Sequence, residues 1–193
     1  MIPKMDLPAL TQKKAHALIE RIDEIPLYAH AYAFHLNFRF GSFRALDLLD
    51  FAAGNKLYGV KIHMDDGEQD SLRNADETQR AEFRKAAKRL NLDIHLEISE
   101  TELPSLRKAI QVGHDIGATS IRCYPRYEGR VSEIISRTID DLSALCDLDP
   151  DCAFRFTLEQ HEDLTGAELV RIVEAVDNPN LSLMFDFTNM INA

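Results

Sequence analysis

The chain has 193 residues, of which 45% are hydrophobic and 28% charged, proportions that are ordinary for one soluble globular domain. Its formal net charge of -10 disfavours a nucleic-acid partner, because binding through phosphates needs a concentration of basic residues. The opening residues lack the apolar core of a signal peptide, and no apolar run approaches the roughly 20 residues that span a bilayer. We therefore expect a cytoplasmic protein without a membrane partner.

Strands and helices are predicted to alternate along the chain, which is typical of βαβ units in a parallel sheet. A first helix is predicted at about residues 11–24. Six strands follow, at about 29–38, 57–64, 92–99, 119–125, 152–160 and 181–187. The helices predicted between them lie at about 42–54, 69–90, 102–116, 131–146 and 165–177. No linker or low-complexity tract interrupts the alternation, so we expect a single domain over residues 1–193.

The helix predicted at 165–177 has the clearest local signals. Thr165 and Glu168 have the spacing of a capping box ahead of an apolar stripe, and Asn178 with Pro179 ends the helix. This helix separates the last two predicted strands.

Polar and apolar residues alternate within the predicted strands, so each strand has one apolar and one polar face. A doubly wound sheet is covered by helices on both sides and favours strands that are apolar throughout. In a closed parallel barrel, the outer face packs on helices while inner residues near the carboxyl ends line a polar pocket. The pattern therefore favours a TIM-type α/β barrel with this inner set: His35, His63, His95, Glu97, Arg122, Tyr124, Glu159, His161 and Asp186.

Two carboxylates end the last two predicted strands. Glu159 closes the run that begins at Phe154, and Asp186 follows the run that begins at Leu183. In a parallel sheet these acids would lie on adjacent strands at the same height, which suits a divalent cation such as Mn²⁺, Mg²⁺, Co²⁺ or Zn²⁺. The alternative for each acid is a salt bridge or a helix cap.

Such an ion can polarise the carbonyl of a polyol or hydroxy-ketone and acidify the neighbouring carbon-bound hydrogen. A carboxylate beside it, for which Glu159 is the candidate, can then carry the proton between carbons. This chemistry indicates an isomerase or epimerase. A lyase that dehydrates a polyol or keto-acid would use the same groups. Residues of the inner set that could contact substrate are His63, Glu97, Arg122 and His161.

Two motifs are similar to those of the xylose isomerase-like TIM-barrel proteins. One is Leu158–His161, followed by Asp163 and the stretch 164–169, and the other is Leu183–Asn189. That family includes sugar-phosphate isomerases and epimerases as well as apurinic endonucleases. The resemblance implies that Glu159 is a metal ligand and acid/base carboxylate and that Asp186 is a second ligand. It places His161 and Asn189 near substrate or metal. Many members have histidine where this chain has Asn189, which favours small polyhydroxy substrates over a multi-zinc nuclease site.

Length is the main departure from the resemblance. Family barrels have eight strands in about 250 residues, and the predicted strands here number six. The histidine and glutamate that complete the family's metal site come from the two remaining strands. An open barrel exposes unpaired strand edges. We therefore expect a fragment, a short form, a homo-oligomer that completes the barrel, or a non-catalytic barrel remnant that acts as a binding protein.

Overall fold

The computed structural model describes residues 11–161, 164–186 and 189. Its strands are β1 Tyr28–His30, β2 Gly59–His63, β3 Asp93–Glu97, β4 Ser120–Cys123, β5 Arg155–Glu159 and β6 Leu181–Met184. Its helices are α1 Gln12–Asp23, α2 His35–Arg39, α3 Ala45–Gly54, α4 Glu77–Leu90, α5 Leu103–Ile116, α6 Val131–Ser143, α7 Leu145–Leu148 and α8 Gly166–Val176. Short 3₁₀ helices lie at Ala31–Phe34 and Glu68–Asp70.

The six strands form one parallel sheet in the order in which they occur along the chain. The predicted alternation of the two sheet faces is confirmed. The apolar side chains are buried, and α3 and α5 contact β2 and β3 on that side. These buried strand residues are Val60, Ile62, Ile94, Leu96, Ile121, Cys123, Phe156 and Leu158. The polar side chains of the same strands lie on the opposite face.

The sheet curls around its polar face. Lys61 Nζ on β2 lies 3.8 Å from Met184 Sδ on β6, although β3, β4 and β5 separate these strands in the sheet. In a flat sheet four strand spacings would put them about 19 Å apart. The contact therefore shows the curvature of a parallel barrel, and the fold is an incomplete TIM barrel of six strands, as predicted.

The strand predicted at 29–38 is wrong beyond His30. The chain turns into a 3₁₀ helix and then α2, because its aromatic residues recur at helical spacing. Phe34 and Phe38 pack on Phe43 with ring centroids 4.7 and 5.4 Å away. His35, predicted to lie on the inner wall, is instead exposed on α2.

Two predicted helices differ in their bounds. The helix predicted from residue 69 begins at Glu77, because the Asp76 side chain accepts a hydrogen bond from the Gln79 backbone N–H and the Gln79 side chain accepts one from the Asp76 backbone N–H. The helix predicted at 131–146 breaks at Ala144 into α6 and α7. Neither change moves a strand. Among the helices of the described segments, none is both long and apolar enough to cross a bilayer.

Candidate functional site

A buried arginine joins two carboxylates on the polar face of the sheet. Arg122 on β4 donates from Nη1 to Glu159 Oε2 on β5 at 2.6 Å and from Nη2 to Glu97 Oε2 on β3 at 2.8 Å. His30, the last residue of β1, contacts the same Glu97 oxygen through Nε2 at 2.8 Å. Glu97, Arg122 and Glu159 are 2%, 9% and 6% exposed. Four strands thus bring their polar side chains to one ionic network.

The two carboxyl groups of this network have opposite pKa shifts. Burial alone would raise the pKa of Glu97, but the hydrogen bond from His30 and the charge of Arg122 outweigh burial and lower that pKa to about 2. Burial raises the pKa of Glu159 above its usual value, and the negative charges of Glu97 and Asp186 add to the rise while Arg122 opposes it. Glu97 is therefore an anion at neutral pH, whereas the surroundings of Glu159 favour its protonated form more than water does.

The negative charge of Asp186 contributes to the raised pKa of Glu159. The two acids are on adjacent strand ends, but not at the same register position. The register partner of Glu159 is Met184, so Asp186 lies two residues further along the chain. The expectation of equal height is therefore wrong by two residues, and a shared cation site for the two acids stays a prediction.

A second polar cluster lies beyond the first. His63 at the end of β2 accepts a hydrogen bond at Nδ1 from the Asp65 backbone N–H at 3.2 Å, so its Nε2 carries the proton. Nε2 donates to Ser99 Oγ at 2.9 Å, and the Tyr124 hydroxyl donates to the same oxygen at 2.8 Å. Burial lowers the pKa of His63, which favours this neutral form.

These hydrogen-bond directions exclude one alternative chemistry. A serine nucleophile needs a neighbouring histidine nitrogen that accepts the hydroxyl proton. His63 donates to Ser99 instead, because the Asp65 N–H already uses its other nitrogen. The pair is therefore not arranged as a serine hydrolase dyad, and Ser99 retains its own proton for another acceptor.

Two further predicted residues lie beside the acids. The His161 ring stacks on the Tyr124 ring with centroids 4.3 Å apart and an angle of 3° between the planes. Asn189 donates from Nδ2 to the Gln160 carbonyl at 3.2 Å, directly after Glu159 in the chain. This bond ties the segment after β6 to the end of β5. Of the motif residues, Asp163, Phe187 and Thr188 lie outside the described residues.

The structure thus brings together Glu97, Arg122 and Glu159. His63 lies at the register position of Glu97, and His161 lies two residues beyond Glu159. Sequence reasoning placed Tyr124 in the inner set without a role, and it missed His30 and Ser99 as site residues. Ser99 and Tyr124 follow Glu97 and Arg122 by two positions, so strand periodicity did place them on the same face. His30 was missed because the predicted first strand continued past it.

Glu159 and Asp186 suit a divalent cation as two oxygen ligands. Glu159 Oε2 is held by Arg122. Within residues 11–161, 164–186 and 189, no cluster of three or more acidic, histidine or cysteine side chains has the geometry of a metal site. The chemistry of the donors therefore fits such an ion, but the described residues supply two ligands of a set that normally numbers more.

Comparison with known proteins agrees with the fold. The profile of the xylose isomerase-like TIM-barrel family matches residues 49–193. The protein YihM of Escherichia coli (strain K12) is 46% identical over 184 residues, which are 95% of this chain and 56% of YihM. The chain thus spans little more than half of that relative's length.

Two solved structures share the fold at low identity. D-psicose 3-epimerase, solved in the presence of D-fructose, is 12% identical with a TM-score of 0.72 over 86% of this chain and 65% of its own. A Mycobacterium smegmatis protein of xylose isomerase-like TIM-barrel type, solved with magnesium, is 16% identical with a TM-score of 0.66 over 88% of this chain and 67% of its own. The profile match covers most of the chain, and the strand order and curvature agree with it. The chain belongs to the xylose isomerase-like TIM-barrel family.

Proposed function

We propose that the chain carries part of the active site of a divalent-metal-dependent isomerase or epimerase that acts on a small sugar or sugar-like hydroxy-ketone. Glu159 is the base and a metal ligand, and Asp186 is a second ligand. His161, Asn189, His63, Glu97 and Arg122 surround the substrate.

One observation carries this proposal: a buried carboxyl group with a raised pKa lies beside a second acid at the carboxyl ends of adjacent barrel strands. A general base works best when its pKa is close to the working pH, and burial moves Glu159 in that direction. The carboxyl ends of the strands are where TIM-barrel enzymes place their catalytic groups.

Each residue of the proposed site has a separate role in the reaction. A divalent ion, when bound, supplies polarisation of the substrate carbonyl. Glu159 takes the proton from the carbon next to that carbonyl and, in an isomerase, returns it to the neighbouring carbon. In an epimerase a second acid on the opposite face of the substrate would deliver the proton that inverts the carbon. Arg122 fixes the Glu159 carboxylate through its 2.6 Å bond, so the base keeps one orientation. The Ser99 hydroxyl is available to donate to a substrate oxygen.

Related structures support the same reaction class. The similar epimerase was solved with D-fructose, and the similar M. smegmatis protein was solved with magnesium. Both share this fold with the chain, and the acids proposed here lie at the end of the barrel where the family keeps its chemistry.

Solvent proton exchange tests the proposal. The chain is incubated with D-fructose and Mg²⁺ in D₂O, and deuterium at the carbons beside the carbonyl is followed by NMR. We expect incorporation with the native chain and none with Glu159→Gln, while the matched variant Glu174→Gln, on the exposed side of α8, retains it. Equal incorporation by the native chain and Glu159→Gln would remove Glu159 from the mechanism.

A non-catalytic binding protein is the second candidate. Two observations favour it. The described residues supply two candidate metal ligands, and Arg122 already neutralises the charge of Glu159. Titration with Mg²⁺ and Mn²⁺ separates the two functions. A folded chain that binds D-fructose but neither ion would support the binding protein.

A further inference from the structure

Helix α1 has an apolar stripe that faces solvent in the described chain. Among residues 12–22, Ala15 is half-buried and the others are exposed. The Ile25 backbone N–H donates to the Ile22 carbonyl at 3.1 Å, so the apolar surface continues past the end of the helix. Five side chains that are 42–64% exposed form this surface, which we call the α1 patch: Leu18, Ile19, Ile22, Ile25 and Leu27.

A helix of this length needs a packing partner. Helices shorter than about 12–15 residues are marginal in water, because most helical stability in proteins comes from packing an apolar face. α1 has 12 residues. Its N-terminal cap is a hydrogen bond from the Lys14 backbone N–H to the Thr11 hydroxyl, at 3.3 Å. One cap does not replace the packing of a whole face, so a stable α1 requires that the α1 patch be covered.

The charges at the two ends of α1 identify the kind of partner. Lys13 and Lys14 lie in its first turn, whereas Glu20 and Glu24 lie at its C-terminal end. A helix is partly positive at its N-terminus and partly negative at its C-terminus, so these four charges are unfavourably placed within one helix. Arg21 is the exception. A second copy of α1 in antiparallel orientation brings each basic end beside an acidic end, and this arrangement compensates for the unfavourable placement.

The size of the α1 patch is sufficient for such a contact. Its side chains expose roughly 100 Å² each, so two copies bury about 1,000 Å² of apolar surface, the lower limit for a specific interface. Monomeric proteins rarely expose apolar patches larger than a few hundred Å². A two-fold axis pairs the patch with itself, so a second complementary surface is not needed.

We propose that the α1 patch is a self-association surface, on which two copies of the chain pair α1 with α1 in antiparallel orientation about a two-fold axis. The contact uses a helix face, so it differs from an association that completes the barrel through strand edges. It also lies away from the candidate site. The Tyr58 backbone N–H donates to the Leu27 carbonyl at 2.7 Å, which places the patch at the amino ends of β1 and β2, whereas Glu159 lies at the carboxyl end of β5.

Sedimentation of the full chain over a range of concentrations tests the proposal. We expect a monomer–dimer equilibrium. Ile22→Glu should weaken association by about tenfold or more, because the two-fold axis brings one carboxylate from each copy into an apolar contact. The matched control is Val170→Glu, which introduces the same charge at an apolar residue of α8 that is 42% exposed. Association should be unchanged in that variant.

Reversal of the basic end tests the antiparallel orientation. In the double variant Lys13→Glu, Lys14→Glu, both ends of α1 are acidic, so antiparallel copies repel at both ends. We expect association about threefold or more weaker than in the native chain, with a smaller difference at high salt. In a parallel pair, like ends meet both before and after the change, so the affinity would stay the same.

Circular dichroism checks that each variant keeps its helices. Glutamate forms helices more readily than isoleucine, so Ile22→Glu does not itself disfavour α1. If that variant does not fold, Ile19→Gln replaces it as a milder change on the same patch.

The outcomes are distinct. A native chain that is monomeric at every concentration overturns the proposal and leaves another protein segment as the occupant of the α1 patch. A dimer that Ile22→Glu does not weaken is formed through another surface, which also overturns the proposal. A dimer that Ile22→Glu weakens and the lysine reversal does not overturns the antiparallel arrangement.

Discussion

A Cβ atom built on Gly113 of α5 would lie 2.9 Å from Cε1 of the Phe154 ring, which immediately precedes β5. This distance is shorter than side chains tolerate, so the glycine lets α5 approach the strand that carries Glu159. The Phe154 ring is 2% exposed and has no open space into which it could move.

Gly113→Ala is therefore expected to lower the free energy of unfolding by about 1–3 kcal/mol, although alanine is the better helix former. Urea denaturation measures the change. The control is Gly54→Ala at the end of α3, where a built Cβ meets no heavy atom within 4 Å outside its own helix and chain neighbours. That variant should be neutral or more stable by up to about 1 kcal/mol. Equal effects of the two variants would contradict the packing of α5 on Phe154.

The curvature of the sheet predicts the effect of a charge on β6. Met184→Lys would place a second ammonium group near Lys61, whose Nζ is 3.8 Å from the Met184 sulfur. We expect a loss of about 1–3 kcal/mol in the free energy of unfolding, since two like charges would be held together in the half-buried interior.

Leu183→Lys is the matched control, because neighbouring strand residues face opposite sides and Leu183 is 38% exposed. Its effect should be clearly smaller. If Met184→Lys is as well tolerated as Leu183→Lys, the two strands do not meet across the interior.

Acid stability should depend on Glu97. Its pKa of about 2 in the folded chain lies below the ordinary value of 4.5, so the unfolded chain takes up this proton first as pH falls. The stabilisation is fully present above about pH 4.5 and is lost as pH falls toward 2. By about pH 3 the native chain should lose on the order of 2 kcal/mol more than Glu97→Gln does.

Urea denaturation at several pH values checks this difference. The comparison is between the slopes of the two curves, because Glu97→Gln lowers stability at every pH by leaving Arg122 and His30 without their carboxylate. Parallel curves for the two chains would show that Glu97 is not paired in the folded state.

The cap of α8 matters to the site because this helix joins β5 to β6. Thr165 accepts a hydrogen bond from the Glu168 backbone N–H, and Glu168 accepts one from the Thr165 backbone N–H. Thr165→Ala should cost about 0.5–2 kcal/mol of stability. Glu168→Gln keeps an acceptor and should cost less. Thermal unfolding of the two variants measures the order, and a reversed order would contradict the reciprocal cap.

Local patterns explain how much of this fold was predictable. The capping box at Thr165 and the alternation in β2 to β5 depend on neighbouring residues in the chain, and both are confirmed. Residues 31–38 were misassigned because aromatic side chains are also common in strands, and the packing of Phe34 and Phe38 on Phe43 is a tertiary contact. His30 was missed as a consequence of that error.

The sequence predicted which residues lie at the site better than it predicted which of them form hydrogen bonds with one another. Periodicity placed Glu97, Arg122 and Glu159 on one face, as the structure has them. Periodicity does not determine which carboxylate Arg122 binds, because its side chain can reach both neighbouring strands. The choice depends on strand spacing, side-chain rotamers and burial. The bonds of Arg122 to both Glu97 and Glu159 follow from these tertiary contacts alone.

The central claim is that Glu159 and Asp186 hold one divalent ion. Anomalous diffraction from crystals of the chain soaked in MnCl₂ tests it most directly. We predict one strong peak at about 2.0–2.3 Å from a carboxylate oxygen of each residue, with the Arg122 bond to Glu159 intact. A manganese peak elsewhere, or none in the space between these two acids, would contradict the account.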